Sequence, residues 1–389
     1  MLDKKIGILY FGRLDDEKGF GLILDVLKKF VKENGEIPFS FYVFGKGKYV
    51  QELLNLSSKH NCIHFFGRQS LETISRYKEN CQFCLMPSIF LETFGLTALN
   101  SLAMGIPVVG FAKGGLKQFV SPKYSIEKAT GSTDAERLYN KLNDLIGQIY
   151  NGELDVDKER KKALTLSDKY SVQRRVDSAK EIFGKPKRIL LISDFKSRLG
   201  GIETYVYDAA DILSQNGYEV KIYGIKIPKG KIGQLIKYFG LFFAMRNFVD
   251  AIRLSRVVRK FKPKAIRYHS TLRRLGWLPI LALGSHKSKK FMMYHDLGYF
   301  HPFPKSVLQE NMVKTPFTFK NFVSSYPSKN PITKFAICLK YISICLIKKQ
   351  LKKTIDLHLL PSDFVTKITH ESYQIDTKKV QTFSHFIQQ

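Results

Sequence analysis

Residues 181–195 read EIFGKPKRILLISDF. The opening EIFG is the last turn of a helix, stopped by Gly184. The closing RILLISDF (188–195) is an apolar run of the kind that forms a strand buried on both faces. One domain therefore ends and another begins across a connection of about four residues. The chain of 389 residues splits near its middle into domains of 1–185 and 186–389.

Working back from that point, the first half alternates strand and helix. KIGILYFG (5–12), FSFYVFG (39–45), IHFFG, FCLMPS and PVVGFA are short apolar runs, and segments with helical spacing such as GFGLILDVLKKFVKENG lie between them. Residues 134–183 are all helical in pattern. Working forward, RILLISDF is followed by a glycine turn and the helical segment IETYVYDAADILSQNG, and then by the strands YEVKIYGI, KAIRYHS, KKFMMYHD and IDLHLLPS. Strands alternating with helices of this length predict a parallel sheet covered on both faces. The expected fold class is α/β, with two doubly wound Rossmann-like domains and ligand sites at the carboxyl ends of their strands.

The net charge is +29, and it is uneven: residues 1–185 carry +6 and residues 186–389 carry +23. Such a basic half suits an anionic partner. The basic residues form no nucleic-acid module, so no nucleic acid is expected as partner. In residues 231–262, Lys and Arg interleave with Phe, Leu and Ile. Two readings stand there: a basic amphipathic segment on an anionic membrane surface, or a helix pair with one face in the core. The five cysteines follow no disulfide spacing, and Cys81 and Cys84 open an apolar strand, which reads as buried reduced thiols. The start MLDKKIGILYFG is not a signal peptide, and no apolar run reaches the ~18–20 residues of a membrane span. These features predict a cytoplasmic protein, and the first reading of 231–262 would place it peripherally on the inner face of the membrane. The DVD at 155–157 reads as solvated surface, and no metal site is expected.

Two stretches carry a resemblance. GRLDDEKG (12–19) and PSIFLETFGLTALNSLAMGIPVV (87–109) are similar, in order and spacing, to motifs of the donor-binding domain of glycosyltransferase family 4, a retaining GT-B family. The resemblance covers nearly all of residues 5–183. It implies that Gly12, Arg13 and Lys18 hold a nucleotide diphosphate, that Glu92 meets the donor sugar, and that Phe94, Gly95, Leu96 and Thr97 open a helix whose N–H groups bind phosphate. Arg and Lys suit that role chemically, since one forks onto phosphate oxygens and the other supplies a point charge. A helix N-terminus is also an anion site. Asn100 stands where the family has a ribose-binding Glu, so its bond to ribose is expected to be weaker. Gln118 likewise stands where Glu is frequent.

Residues 187–387 resemble the acceptor domain of the same family less tightly. The resemblance implies that Gly200 and Gly201, in SDFKSRLGGIETYV (193–206), face the donor, and that His295, in YHDLG (294–298), lies beside the transferred sugar. In the family the acceptor domain comes first. This chain therefore looks circularly permuted, with its two GT-B domains expected to face across a cleft. The implied function is metal-independent transfer of a sugar, with retention, from a nucleotide-diphosphate donor to a glycan or lipid-linked acceptor. No cofactor is expected beyond the nucleotide-sugar co-substrate. The alternative is a catalytically degenerate protein that binds a sugar or nucleotide without turnover.

Overall fold

The run KIGILYFG becomes strand β1 (Ile6–Arg13), buried along its first six residues, because helices cover both faces of its sheet and leave it no polar side. The computed structural model describes residues 6–184, 188–196, 201–225, 244–272, 275–302, 315–373 and 375–386. The chain divides into two compact units, one through Ser171 and one from Val172.

In the first unit β1 is followed by α1 (Phe20–Asn34), β2 (Phe39–Lys46), α2 (Val50–Ser57), β3 (Ile63–Phe65), α3 (Leu71–Ser75), β4 (Phe83–Met86), α4 (Leu96–Ala103), β5 (Val108–Gly110), α5 (Asp134–Tyr150) and α6 (Val156–Asp168). Helix α1 buries Phe20, Ile23, Leu24, Leu27 and Phe30, the three-and-four spacing that lays one face on a sheet, and it stops at Gly35. A capping box of Thr133 and Glu136 starts α5. Asp155 of the DVD stretch caps α6, accepting from the Lys158 N–H at 3.0 Å. The five strands run in the order β3-β2-β1-β4-β5, all parallel. The order reverses beside β1 and β4, which is where such sheets open a ligand crevice. Cys81 and Cys84 are buried free thiols, and burial pushes the Cys84 thiol up to about 12.

The second unit begins with α7 (Val172–Phe183). Its Val176 and Ala179 join the core formed by Ile189, Leu191, Val206 and Phe383. Then come β6 (Arg188–Phe195), α8 (Gly201–Gln215), β7 (Glu219–Ile225), α9 (Ala244–Phe261), β8 (Ala265–Tyr268), α10 (Leu278–Ala282), β9 (Lys289–Met293), α11 (Phe319–Ser324), α12 (Pro331–Thr354), β10 (Leu357–Leu360), α13 (Asp363–Tyr373) and β11 (Val380–Thr382). The order is β11-β10-β9-β8-β6-β7, again parallel throughout, with its reversal beside β6 and β8. The expected pair of Rossmann-like α/β units is what the chain forms.

Of the basic stretch 231–262, residues 231–243 lie outside the described residues. The rest is mainly α9, which buries Ala251, Leu254, Val258 and Phe261 along one face while Phe248, Val249 and Ile252 stay exposed. The described side chains of α9 therefore pack one face in the core and leave the other exposed. No described helix is long and apolar enough to cross a membrane.

Candidate active site

Three loops meet at the carboxyl ends of β1, β4 and β5. The first follows Gly12 and Arg13, where Gly12 pairs in register with Gly45. Its turn closes at Gly19, whose backbone is left-handed (φ 69°); a Cβ there would meet the Pro87 carbonyl oxygen at 1.9 Å. Only glycine fits, and its absence of a side chain lets the 12–19 loop sit directly on the 87–94 loop. The Ile89 N–H donates to the Glu17 carbonyl at 3.1 Å, which ties the two loops together.

That contact brings Lys18 and Glu92, 74 residues apart in sequence, into one ion pair. Glu92 is 8% exposed, and its Oε1 also accepts from the Ser88 hydroxyl at 3.0 Å. Its backbone carbonyl accepts from the Gly115 N–H at 2.7 Å, which brings in the third loop. The Lys18 ammonium lies 4.8 Å from the centre of the Phe90 ring, a cation–π contact that fixes the stem further. Arg13 is held differently. Its Nη1 pairs with Asp15 at 2.8 Å and its Nη2 with Glu17 at 2.6 Å, and half of its side chain stays exposed. Exposed pairs of this kind are worth about 0–1 kcal/mol each, so Arg13 can exchange them for another anion at small cost.

Gly95 caps α4 in a left-handed conformation (φ 97°, ψ 55°), and a Cβ there would strike Leu116 at 2.6 Å. The first N–H groups of α4 have no partner within the helix. Leu96 and Thr97 of that turn are partly exposed. Phe94 is buried, with its ring edge-on to Phe119 and Tyr170, so its side chain anchors the loop and only its backbone is left to offer a ligand. Asn100 sits one turn further along α4, partly buried, on the face it shares with Leu96 and Thr97.

The structure explains Gln118. Its Nε2 donates to the Gly115 carbonyl at 2.8 Å and the Phe94 carbonyl at 3.4 Å, and its Oε1 accepts from the Tyr170 hydroxyl at 3.0 Å. A carboxylate could not donate to the two carbonyls. Gln118 is therefore a structural bridge under Phe94. Gln118→Glu is expected to cost the first unit about 1–3 kcal/mol, the penalty for unmade hydrogen bonds, read as a lower urea midpoint; an unchanged midpoint would contradict this role.

In the second unit Gly201 is the first residue of α8, where an added Cβ would meet nothing within 4 Å, and Gly200 lies outside the described residues. His295 follows β9, partly exposed. It shares a 3.0 Å hydrogen bond between its Nε2 and the Nδ1 of His269, which lies after β8. It also stacks on His385, after β11, at 5.0 Å between ring centres. Tyr205 packs edge-on against His295 and His385 and takes a 3.0 Å hydrogen bond from buried Arg267. Burial pushes His269 and His295 well below the usual imidazole range, and brings His385 down to about 3, with Arg175 and Arg267 adding to it. The imidazoles are therefore neutral at pH 7. Buried Asp194, near the end of β6, accepts from the Ser270 hydroxyl at 2.6 Å and the Leu275 N–H at 2.9 Å and so ties the ends of β6 and β8 together. Sequence reasoning singled out His295 alone. Its signal for the others was a repeated pattern of a polar residue just after a buried strand, as in YHST and FSHF. Among the described residues no three His, Cys, Asp or Glu side chains are placed to hold a metal ion.

Residues 2–163 match the family model described as glycosyl transferases group 1. The first unit carries a glycosyl transferases group 1 domain. An uncharacterized glycosyltransferase of Methanocaldococcus jannaschii is 26% identical over 182 residues, which is 45% of this chain and 47% of that protein. The lipopolysaccharide 1,2-N-acetylglucosaminetransferase of Salmonella typhimurium is 26% identical over 193 residues, 46% of this chain and 49% of its own. The chain spans about half the length of these curated relatives. Among solved structures, the pneumococcal O-GlcNAc transferase complexed with UDP and GlcNAc has a TM-score of 0.38 at 19% identity, covering 46% of this chain and 35% of the other. The Lys18–Glu92 pair and the α4 N-terminus both lie inside the group 1 domain.

Proposed function

We propose that this chain is a retaining, metal-independent glycosyltransferase of the family 4 type, moving a hexose-type sugar from a nucleotide-diphosphate donor to a glycan or lipid-linked acceptor. The observation that carries this reading is the Lys18–Glu92 pair beside the open N-terminus of α4. In this reading a cation, an exchangeable guanidinium and the first backbone N–H groups of α4 act together, next to a carboxylate that can accept from sugar hydroxyls. Arg13, Lys18 and the Gly95–Thr97 amides stabilise the charge that develops on the leaving diphosphate, a term that usually dominates such catalysis. Glu92 orients both Lys18 and the sugar, and Asn100 receives the ribose as an uncharged acceptor. On the acceptor side the reading assigns Gly200, Gly201 and His295, with the donor and acceptor domains in permuted order along the chain.

The second reading, a degenerate binding protein, is favoured by one observation, the amide at Asn100. Gln118 no longer speaks for it, because its bonds to Phe94, Gly115 and Tyr170 account for it. The test is a thermal-shift screen of the full chain with UDP, GDP, ADP and dTDP. One of them is expected to raise the melting temperature in proportion to occupancy. Arg13→Ala should then weaken the diphosphate by about 1.5–3 kcal/mol and leave the nucleoside nearly unaffected. Equal losses, or no shift with any nucleotide, would remove the assignment. Donor hydrolysis by the same sample separates the enzyme from the binder. Asn100→Glu should tighten donor binding or leave it unchanged; a large loss with the fold intact would show a differently built ribose pocket.

A further inference from the structure

Strands β8 and β9 are neighbours, with Tyr268 paired to Met292, and each is followed within two residues by a histidine. The backbone fixes where both rings stand. The His269 N–H donates to the Ile192 carbonyl of β6 at 2.8 Å, and the Tyr294 N–H donates to the Leu359 carbonyl of β10 at 3.0 Å. His269 is 1% exposed. Its Nδ1 lies 3.0 Å from Nε2 of His295, with the two ring planes 23° apart. His385 stacks on His295 within 9° of parallel, and Tyr205 meets it edge-on at 5.1 Å between ring centres. His295 is therefore held by ring contacts and by a directed bond to its neighbour on β8.

The direction of that bond follows from the nitrogen left over. Both imidazoles are neutral, because burial pushes them well below their usual range. A neutral imidazole carries one proton and one bare nitrogen. Among the described residues Nε2 of His269 has no hydrogen-bond partner. Were the His269 proton on Nε2, a buried N–H would go without an acceptor, which folded proteins rarely permit. Nδ1 of His269 therefore donates, and Nε2 of His295 accepts. The proton of His295 then sits on its own Nδ1, so any bond from that ring to a sugar or phosphate oxygen is donated there.

We propose that His269 is a positioning residue for sugar transfer: by donating from Nδ1 it fixes the ring plane of His295 and confines the proton of His295 to Nδ1. The proposal rests on the transferase reading, in which His295 lies beside the sugar, but the proton placement can be measured without turnover.

Nitrogen NMR of the full chain with isotopically labelled histidine reports which nitrogen of each ring carries the proton. Among the nine histidines, the His295 signals are assigned by their loss in His295→Gln. The parent is expected to show His295 bare at Nε2 and protonated at Nδ1. In His269→Leu a protonated Nε2 signal should appear at His295. The kcat for sugar transfer should fall about tenfold or more while the donor KM stays within about twofold, since a misplaced group costs rate. His269→Asn sets an amide nitrogen close to the former Nδ1 and should recover most of the lost kcat. A packing role alone would leave it as slow as the Leu variant, and that result would overturn the proposal. So would a parent His295 protonated at Nε2, or a His269→Leu protein with an unchanged His295 spectrum and kcat. A parent with His295 protonated at Nδ1 that transfers sugar from no donor would uphold the hydrogen bond and overturn the transferase reading.

Discussion

Glu92→Ala is expected to abolish sugar transfer to within about a thousandth of the parent rate, the scale set by losing a group that places charge at a reacting centre. It should also destabilise the first unit by about 3 kcal/mol. The second figure follows from the pair itself. Removing one partner of a largely buried ion pair strands the other charge at a cost of about 3–5 kcal/mol. The low end applies because the Lys18 and Glu92 side chains keep 19% and 11% of their surface exposed. Ser88 also loses its acceptor. Lys18→Met should cost a similar amount for the mirror-image reason. The informative protein is the double variant Lys18→Met, Glu92→Leu, in which neither charge remains. It should recover much of the lost stability, because apolar replacements of a buried pair are often neutral, yet it should regain no activity. A double variant as unstable as the sum of the singles would show that the two side chains are not coupled. A Glu92→Ala protein that turned over normally would remove Glu92 from the chemistry and leave it a structural role.

The first unit was far more legible in sequence than the second, and the reason is physical. Around the donor loops the candidate residues lie in short consecutive stretches, so Arg13, Lys18, Glu92 and Gly95 could be named from the resemblance of those stretches to motifs of a known family. What sequence could not show was that Lys18 and Glu92 meet, since that contact depends on Gly19 lying against Pro87. Gln118 looked like a missing carboxylate until its neighbours proved to be two carbonyls. In the second unit His269, His295 and His385 come from the ends of three strands. They meet only because of the order β11-β10-β9-β8-β6-β7 and because β8 and β9 are direct neighbours.

The second unit is expected to unfold by about pH 5 under conditions where the first unit stays folded. His269, His358 and His385 are 1%, 0% and 3% exposed. Burial drives the His269 imidazole well below its usual range, with Arg267, His295 and His385 reinforcing the effect, and brings His358 and His385 down to about 3. In the unfolded chain each takes up a proton near its ordinary pKa of about 6.5. As pH falls below that value the unfolded state binds protons that the folded state refuses, so stability is lost from about 6.5 downward. The loss continues until pH approaches 3. Each imidazole approaches a slope of about 1.4 kcal/mol per pH unit, so His358 and His385 together remove roughly 4 kcal/mol by pH 5, and His269 adds in the same direction. That is a large part of the whole stability of many domains, about 5–15 kcal/mol. Most of this window lies above the range where carboxylates titrate. The two histidines of the first unit, His60 and His64, are not buried. The chain's single tryptophan, Trp277, lies in the second unit, so its fluorescence reports that unit alone. Urea unfolding followed at Trp277 should show a midpoint that drops steeply from pH 7 to 5.5, while helix content retains a second, pH-insensitive transition. His385→Gln should flatten the slope by about a third. A Trp277 midpoint that stays constant across that range would mean the imidazoles are hydrated in the folded protein and the cluster is open to solvent.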